Sequence, residues 1–423
     1  MEMQLDLVQS SALAIFLLAL GEYARSRIEF LRRFSFPAPV VGGFLFALLV
    51  LLLRQTNIAE ISFDTTLQSP AMIAFFTTIG LAGSFATLKK GGRLLFVYLI
   101  ACWTLAIMQN LIGMGLAKAL GLHPMLGIMA GAVSLEGGHG AAAAFGATAE
   151  EMGFTGTSTL AISAATFGLV AGSLLGGLLA VFLVDRHGVK IPSMAEASVS
   201  SAQNGNTSLG SAAEVHAAAQ PKGAGEVGTA QRSGINYTNL LTAGVVIGII
   251  MVFGVLLGTW FSDTTGFSLP AYVGAMFIAV IFRNLNDQIK LIRIDDDSVE
   301  LISKFTLGFF LTLAMMSLKV WELADLALPL IVILVVQVLF ILAFAAFVVF
   351  RMLGKNYDAA TMVAGFVGHG LGATPNALAN MDAFNAKFGV RSERAFLIVP
   401  LAGAVLIDLV ALPWIVWCMN WVA

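Results

Sequence analysis

The stretch Ser134-Leu135-Glu136-Gly137-Gly138-His139-Gly140-Ala141 carries three glycines, a histidine and a carboxylate in otherwise apolar surroundings. A related stretch, Gly368-His369-Gly370-Leu371-Gly372-Ala373-Thr374-Pro375-Asn376, follows about half a chain later. Neither would make a good membrane-spanning helix. Non-helical backbone at membrane depth is tolerated only where protein buries it or it lines a watery cavity. Its free N–H and C=O groups are then open to a solute. Glycine lets backbone approach a ligand closely, half-helix N-termini present N–H groups to anions, and unwound carbonyls can hold Na⁺. The chemistry on offer is the binding of a small charged solute. The expectation is that the two stretches meet inside a membrane and form a transporter's binding site.

The candidate binding residues are Gly137, Gly138, His139 and Gly140 on the first stretch, and Gly370, Gly372, Ala373, Thr374 and Asn376 on the second. Glu136 is an ionisable group within the membrane, a functional hypothesis by default. It can ligate a cation, carry a proton or face a vestibule, and Asp408 in the last apolar run raises the same options. His139 and His369 read either as helix-end hydrogen-bonders or as ligands. Gln109, Asn110 and Gln337 lie in long apolar runs, where interhelical hydrogen bonding and a site role are both open. Gly168, Gly172 and Gly176 have the spacing of a tight helix-packing surface. No Arg or Lys lies well inside a predicted span, so a carboxylate substrate must be met mainly by backbone N–H groups, hydroxyls and amides. No His/Cys/Asp cluster has metal-ligand spacing, and Cys102 and Cys418 read as small buried hydrophobes. No Ser/His or Asp/Asp pair stands at a convincing helical spacing. An enzyme is therefore not expected, and neither is a cofactor.

These residues must be positioned by membrane helices. The chain has 423 residues, 58% hydrophobic and only 11% charged, with a mean hydropathy of +0.89. Soluble domains carry roughly 25% charge, and there is no basic stripe for nucleic acid. Apolar runs cover Leu7–Ala24, Ala38–Leu53, Pro70–Leu88, Leu94–Leu120 and Leu160–Val184, with the Gly/Ala-rich stretch Met125–Ala149 before the last of these. The second half offers Leu240–Phe261, Pro270–Phe282, Leu301–Leu318, Leu326–Met352 and Ala395–Val422, with a second Gly-rich stretch at Ala359–Met381. Glu2 and Asp6 precede the first run, which reads as a retained helix rather than a cleaved signal. Residues 185–236 are rich in Ser, Ala, Gly, Gln and Asn and read as a flexible linker.

The halves, 1–184 and 237–423, look like repeats. Ser35-Phe36-Pro37-Ala38-Pro39-Val40 resembles Ser268-Leu269-Pro270-Ala271-Tyr272-Val273, and Phe75-Phe76-Thr77-Thr78 resembles Phe309-Phe310-Leu311-Thr312. Gln109 matches Gln337, Gly138-His139-Gly140 matches Gly368-His369-Gly370, and Val170-Ala171-Gly172 matches Leu401-Ala402-Gly403, all at offsets of 228 to 234 residues. With five spans per half and neither Gly-rich stretch crossing, every one of the 23 basic residues except Arg54, Lys118 and Lys319 falls on one side. The positive-inside rule makes that side cytoplasmic. The expected fold class is an all-α polytopic membrane protein with two inverted-topology repeats of five transmembrane helices, each with a re-entrant hairpin. The hairpins are expected at about residues 125–149 and 359–381, the linker in the cytoplasm and both termini outside. Trp260, Trp321, Trp414, Trp417 and Trp421 fall near the outer interface and fit an aromatic belt.

At this point the sequence resembles the bacterial sodium/glutamate symporters over nearly its whole length. The resemblance rests on Pro37-Ala38-Pro39-Val40-Val41-Gly42-Gly43, Gly137-Gly138-His139-Gly140, Gly354-Lys355-Asn356-Tyr357-Asp358-Ala359-Ala360, Gly370-Leu371-Gly372-Ala373-Thr374-Pro375 and Ala379-Asn380-Met381. It implies Na⁺-coupled uptake of L-glutamate across the bacterial inner membrane, an elevator-type movement of one domain against a scaffold, and a homodimer. In that reading the substrate carboxylates lie at the two tips, and Glu136, Asn380 and Asp408 are candidate Na⁺ ligands. Two departures stand out. The family motif continues with Thr where this chain has Ala141, and a Ser precedes the first glycine where this chain has Glu136. Another di- or tricarboxylate, and a channel with paired filter loops, are the competing readings.

Overall fold

Helix starts along the chain are written in local capping chemistry. The computed structural model describes residues 2–34, 36–192, 236–321 and 326–423. Most of the expected linker, with Lys222 and Arg232, lies outside the described residues, as do Ser35 and the side chains of Lys89, Lys90 and Ala373. Helix α1 (Leu7–Arg27) opens on a capping box: the Asp6 side chain accepts from the Gln9 amide, and Gln9 accepts from the Asp6 amide. After a short helix at Glu29–Arg33, α2 (Ala38–Gln55) starts behind Pro37. Proline is pre-set there for a helix start and gives up an amide that would be orphaned anyway. Then come α3 (Gln68–Ala82) and α4 (Phe85–Ala119), the latter kinked where Gly92 adopts φ +60°. Three shorter helices follow, α5 (Pro124–Met129), α6 (Ala132–Leu135) and α7 (Gly138–Glu151), and then α8 (Thr157–His187).

The second half repeats the order. It contains α9 (Tyr237–Thr265), α10 (Ala271–Ile289, again behind a proline, Pro270) and α11 (Asp296–Met316), capped by Asp295. Helix α12 (Ala327–Met352) includes a π-helical turn at Ala345–Val349. Helix α13 (Tyr357–Phe388) is capped by Asn356. The chain closes with α14 (Glu393–Leu401), a π-helical turn at Ala402–Leu406, and α15 (Asp408–Val422). Among the described residues, seven helices (α1, α2, α4, α8, α9, α11 and α12) are long and apolar enough to cross a membrane. Helix α3 is short, α10 gathers Arg283, Asn284, Asn286 and Asp287 near its end, and a π-helical turn separates α14 from α15.

Close crossings in the two halves use glycine in the same way. A Cβ on Gly21 of α1 would overlap the Ala38 carbonyl at the start of α2, and one on Gly42 would overlap the Leu17 carbonyl. In the second half Gly254 of α9 and Gly274 of α10 meet in the same manner, each leaving no room for a side chain. Two bundles result. The first packs α1, α2 and α3 against α9, α10 and α11. The second packs α4 to α8 against α12 to α15, with α13 lying along α8. Each bundle thus draws on both halves of the chain.

Both Gly-rich stretches fold back on themselves. In the first, the ring of His123 ahead of α5 lies 4.5 Å from that of Phe154 behind α7, so the turn falls at Glu136–Gly138, where Gly138 has φ +62°. The second differs from the sequence reading, because its backbone is helical throughout rather than unwound. It nevertheless reverses. The Tyr357 hydroxyl donates to Asn385 Oδ1 (3.0 Å) and to the Val390 carbonyl (2.6 Å), and the Thr361 hydroxyl also reaches Asn385 (3.2 Å). At about 1.5 Å per residue, a straight helix would hold Tyr357 and Asn385 roughly 40 Å apart. The pairings centre on Gly372–Ala373, beside the helix-breaking Pro375.

Loop contacts tie distant parts together. Strand β1 (Glu2–Leu5) pairs in parallel with β2 (Glu60–Phe63). The Ser268 amide donates to Asn420 Oδ1 (2.6 Å), and Asn420 Nδ2 returns a bond to the Ser268 carbonyl (2.9 Å). The Arg54 guanidinium lies 4.0 Å from the Trp321 ring centroid. Elsewhere Ser84 donates to Asp287 (2.6 Å), Asn284 donates to the Gly83 carbonyl (2.7 Å), and the rings of His187 and Phe350 lie 5.2 Å apart.

Candidate functional site

The two hairpin tips meet on α8. A Cβ on Gly168 would overlap the Leu371 carbonyl of the second tip and come within 2.8 Å of Leu135 Cδ2 at the first. Gly172 and Gly176 carry the same groove further, against Asn376 and Asn380. The packing reading of these glycines therefore holds. Their absent side chains let a polar hairpin lie against a helix backbone.

Neighbouring amides on α4 clamp the two hairpins. Gln109 Nε2 donates to the Gly370 carbonyl of the second (2.9 Å), and Asn110 Oδ1 accepts from the Ala132 amide of the first (3.0 Å). Gln337 Nε2 of α12 donates in turn to the Gln109 carbonyl (2.6 Å). Gln109 and Gln337 touch, but they do different jobs.

The expected site residues fall into three groups. Gly137, Gly138, His139 and Gly140 form the first tip and the first turn of α7. A helix leaves its first N–H groups without intrahelical partners, and here they lie at Gly138, His139 and Gly140. Gly140 has space before it, bounded by Phe75 of α3 and Leu307 of α11 at 3.5 and 3.6 Å from a notional Cβ. His139 is buried and its Nε2 lies 3.0 Å from Thr166 Oγ1 on α8. That contact ties the first tip to α8.

Gly370, Gly372 and Thr374 belong to the second tip, with Ala373 at the turn. The Thr374 hydroxyl donates to the Gly403 carbonyl (3.1 Å) inside the π-helical turn of the last span, and His369 Nδ1 lies 3.4 Å away. Asn376 and Asn380 are largely used by packing. Asn376 Nδ2 donates to the Leu169 carbonyl (3.1 Å) while its Oδ1 accepts from Ser173 (2.5 Å), and Asn380 Nδ2 donates to the Gly172 carbonyl (2.8 Å).

The third group is Glu136 with Asp408. Glu136 is buried at the first tip, and among the described residues neither carboxylate oxygen has a hydrogen-bond partner. Asp408 at the start of α15 lies within electrostatic reach of it. So do Tyr98 and Cys102, one turn apart on α4, which the sequence reading passed over. The i, i+4 spacing of a phenol and a thiol on a span was the available signal. Among the described residues no three His, Cys, Asp or Glu side chains gather as a metal would need.

The Gly-His-Gly echo is not a structural match. His139 follows the first turn, whereas His369 precedes the second. The turn centres set Gly138 against Gly372 instead, an offset close to that of the Phe-Phe and Pro-Ala motifs.

A cavity of about 390 Å³ opens where the bundles adjoin, lined by Glu150 and Glu151 of α7, Ser158 of α8, Gln68 of α3 and Ser317 and Lys319 behind α11. Cavities of roughly 300–1,000 Å³ are the usual size for small-molecule sites.

A family model described as sodium/glutamate symporter matches residues 3–390. The chain is 40% identical over 407 residues to the sodium/glutamate symporter of Escherichia coli (strain K12), covering 96% of this chain and 95% of that one. The same figures hold for the sodium/glutamate symporter of Shigella flexneri. That of Haemophilus influenzae is 38% identical over 403 residues, covering 95% and 94%. Paired glycine tips on a common helix, in a membrane chain similar to these proteins from end to end, identify it as a member of the sodium/glutamate symporter family.

Proposed function

We propose that the chain is a Na⁺-coupled symporter that imports L-glutamate across a bacterial inner membrane, with the substrate held between the two hairpin tips. The observation that carries this is the meeting of the tips at Gly168, clamped by adjacent amides of α4. The first-turn N–H groups of α7 suit an anionic carboxylate, and the relatives named for sodium and glutamate supply the identity of ion and substrate.

Ten crossings in two inverted repeats, with each hairpin entering from one side and returning, account for the loop contacts. In that topology β1 and β2, Ser268 and Asn420, and Arg54 and Trp321 are pairs of outer ends. Gly83/Ser84 with Asn284/Asp287, and His187 with Phe350, are pairs of inner ends. Among the described residues no tether joins an end from one face to an end from the other. The termini are then periplasmic and residues 185–236 cytoplasmic. Both tips belong to the second bundle, which moves against the first as an elevator, and two copies form a homodimer.

Reconstitution decides the matter. Proteoliposomes should accumulate L-glutamate under an inward Na⁺ gradient, saturably and with counterflow, and take up aspartate and citrate poorly. Preferential citrate uptake would move the reading to another carboxylate, and non-saturating flux would make the protein a channel.

A further inference from the structure

The cavity where the bundles adjoin combines charges of both signs with small apolar side chains. Glu150 and Glu151 of α7 and Lys319 behind α11 line it, all three exposed, together with the half-buried Ser317. Ala143 and Ala147 of α7 belong to its apolar part. Gly140, Ala143, Ala147 and Glu150 follow one another at steps of three, four and three residues, which places them on a single face of α7. The cavity therefore lies over the same helix face as the first tip, with Phe75 and Leu307 standing against Gly140 further along it. From Gly140 to Glu150 the helix rises about 15 Å, too far for one amino acid to touch both.

The acidic wall is held in place. Glu150 Oε1 accepts from the Ser158 amide in the first turn of α8 (3.1 Å). Beside it the Thr157 hydroxyl donates to the Gly146 carbonyl (3.0 Å) and the Phe154 carbonyl (2.8 Å), bracing the turn between α7 and α8. We propose that this cavity is a second binding site, separate from the tips, that takes an α-amino acid as a zwitterion. Glu150 and Glu151 receive its ammonium group, and Lys319 receives a carboxylate, both as charge-assisted contacts. The proposal rests on the glutamate-transport reading above and adds a loading position to it. A carboxylate solute without an ammonium group brings only the charge that the two glutamates repel, and one lysine does not offset them.

The placement gives the cleft a task. Lys319 follows a helix of the first bundle, whereas Glu150 and Glu151 belong to the second. Movement of one bundle past the other separates the groups that hold the two ends of the zwitterion. The cleft therefore holds its occupant only in the bundle arrangement seen here. In the topology proposed above every element lining it contributes its outer end, so amino acids are selected before they reach the tips.

The test follows labelling of Ser317→Cys by a small water-soluble maleimide in the detergent-purified full chain, with Cys102 and Cys418 replaced by alanine. The Ser317 hydroxyl bonds back along its own helix, to the Leu313 and Ala314 carbonyls (2.9 and 3.1 Å), so the exchange is mild. G138V is added to disable the tip, so that protection reports the cavity. L-glutamate should slow labelling several-fold, and glutarate, the same carbon chain without the ammonium group, should not. E150Q with E151Q, checked as monodisperse by gel filtration, should abolish protection by L-glutamate. The same pair should let glutarate protect instead through Lys319, a reversal that a merely structural role would not give. With the tip intact, these two substitutions should raise the KM of uptake roughly tenfold, the worth of one charged hydrogen bond. Equal protection by glutarate and L-glutamate before the substitutions would overturn the ammonium contact, and protection by NaCl alone would give the cleft to an inorganic ion; either way the proposal fails. Absence of labelling would show the cavity to be closed, with the same result. No protection by L-glutamate, in a parent chain that still accumulates it on a Na⁺ gradient, would remove the second site and leave the transport reading standing. Protection in a parent chain that accumulates no glutamate would do the reverse.

Discussion

Gly138 turns the first hairpin at φ +62°, a backbone state that costs a non-glycine residue roughly 1–3 kcal/mol and a β-branched one most. Valine there should abolish glutamate uptake while the protein still elutes as a single species; near-normal uptake by G138V would remove the tip from the site. Asn376 makes a different case. Replacing it with alanine removes two hydrogen bonds and leaves the Ser173 hydroxyl without its acceptor in the seam, a loss of about 1–3 kcal/mol. N376A should melt earlier than the parent, and an unchanged melting curve would show that the seam does not hold the hairpin. The glycines and amides at the tips were readable in the sequence because polar, flexible residues are out of place in an apolar chain. Tyr98 was not, since a tyrosine on a span draws no notice until an unpartnered carboxylate is found beside it. The Gly-His-Gly echo misled by about one helical turn, because identical tripeptides were matched rather than turn positions.

Helix ends and apolar runs were largely legible. Caps, prolines and hydropathy are local properties, and the runs at Ala38 and Pro270 simply extend to Gln55 and Ile289 through polar end residues. The shape of α13 was not legible, since a helical run and a folded hairpin have the same local preferences and differ only in contacts across more than twenty residues. The glycine crossings Gly21–Gly42 and Gly254–Gly274 were missed for the same reason, each being ordinary until its partner is known. They make a clean comparison. G42V and G254V must push apart backbones already in contact, and overpacking of this kind costs about 1–3 kcal/mol or more. Both should reduce the monodisperse fraction on fluorescence-detected gel filtration. Gly244, on the same helix as Gly254 but with open space around it, should accept valine without effect. Equal behaviour of G244V and G254V would mean that the crossings are not tight.

The interleaving of the halves into two bundles is a property of the whole molecule that no stretch of sequence declares. The bundles touch through flat aromatic and weakly polar contacts: Phe75 and Leu307 before Gly140, the Phe145 ring 5.3 Å from that of Tyr272, and the Thr148 hydroxyl 3.4 Å from the Tyr272 hydroxyl. Within the first bundle the ties are stronger, as where Arg283 bridges Asp287 (3.1 Å) and Asp296 (2.6 Å) beside Ser84. If transport moves one bundle past the other, a short thiol crosslinker between Gly140→Cys and Leu307→Cys should stop uptake. The same reagent between Ser84→Cys and Asp287→Cys should leave it running. Uptake that survives the first crosslink would rule out the sliding movement. Both cysteines of the parent chain are buried and free, so they can be replaced beforehand as a control.

The parallel pairing of β1 with β2 has a consequence for biogenesis. Residues 2–5 find their partner only at residues 60–63, after α1 and α2 have both been synthesised. The leading strand must therefore wait, unpaired, until the first helical pair has formed and brought the second strand to it. That short ladder then acts as a latch that closes only once the opening pair of helices has come together. A bulky fusion ahead of Glu2 would hold the latch open.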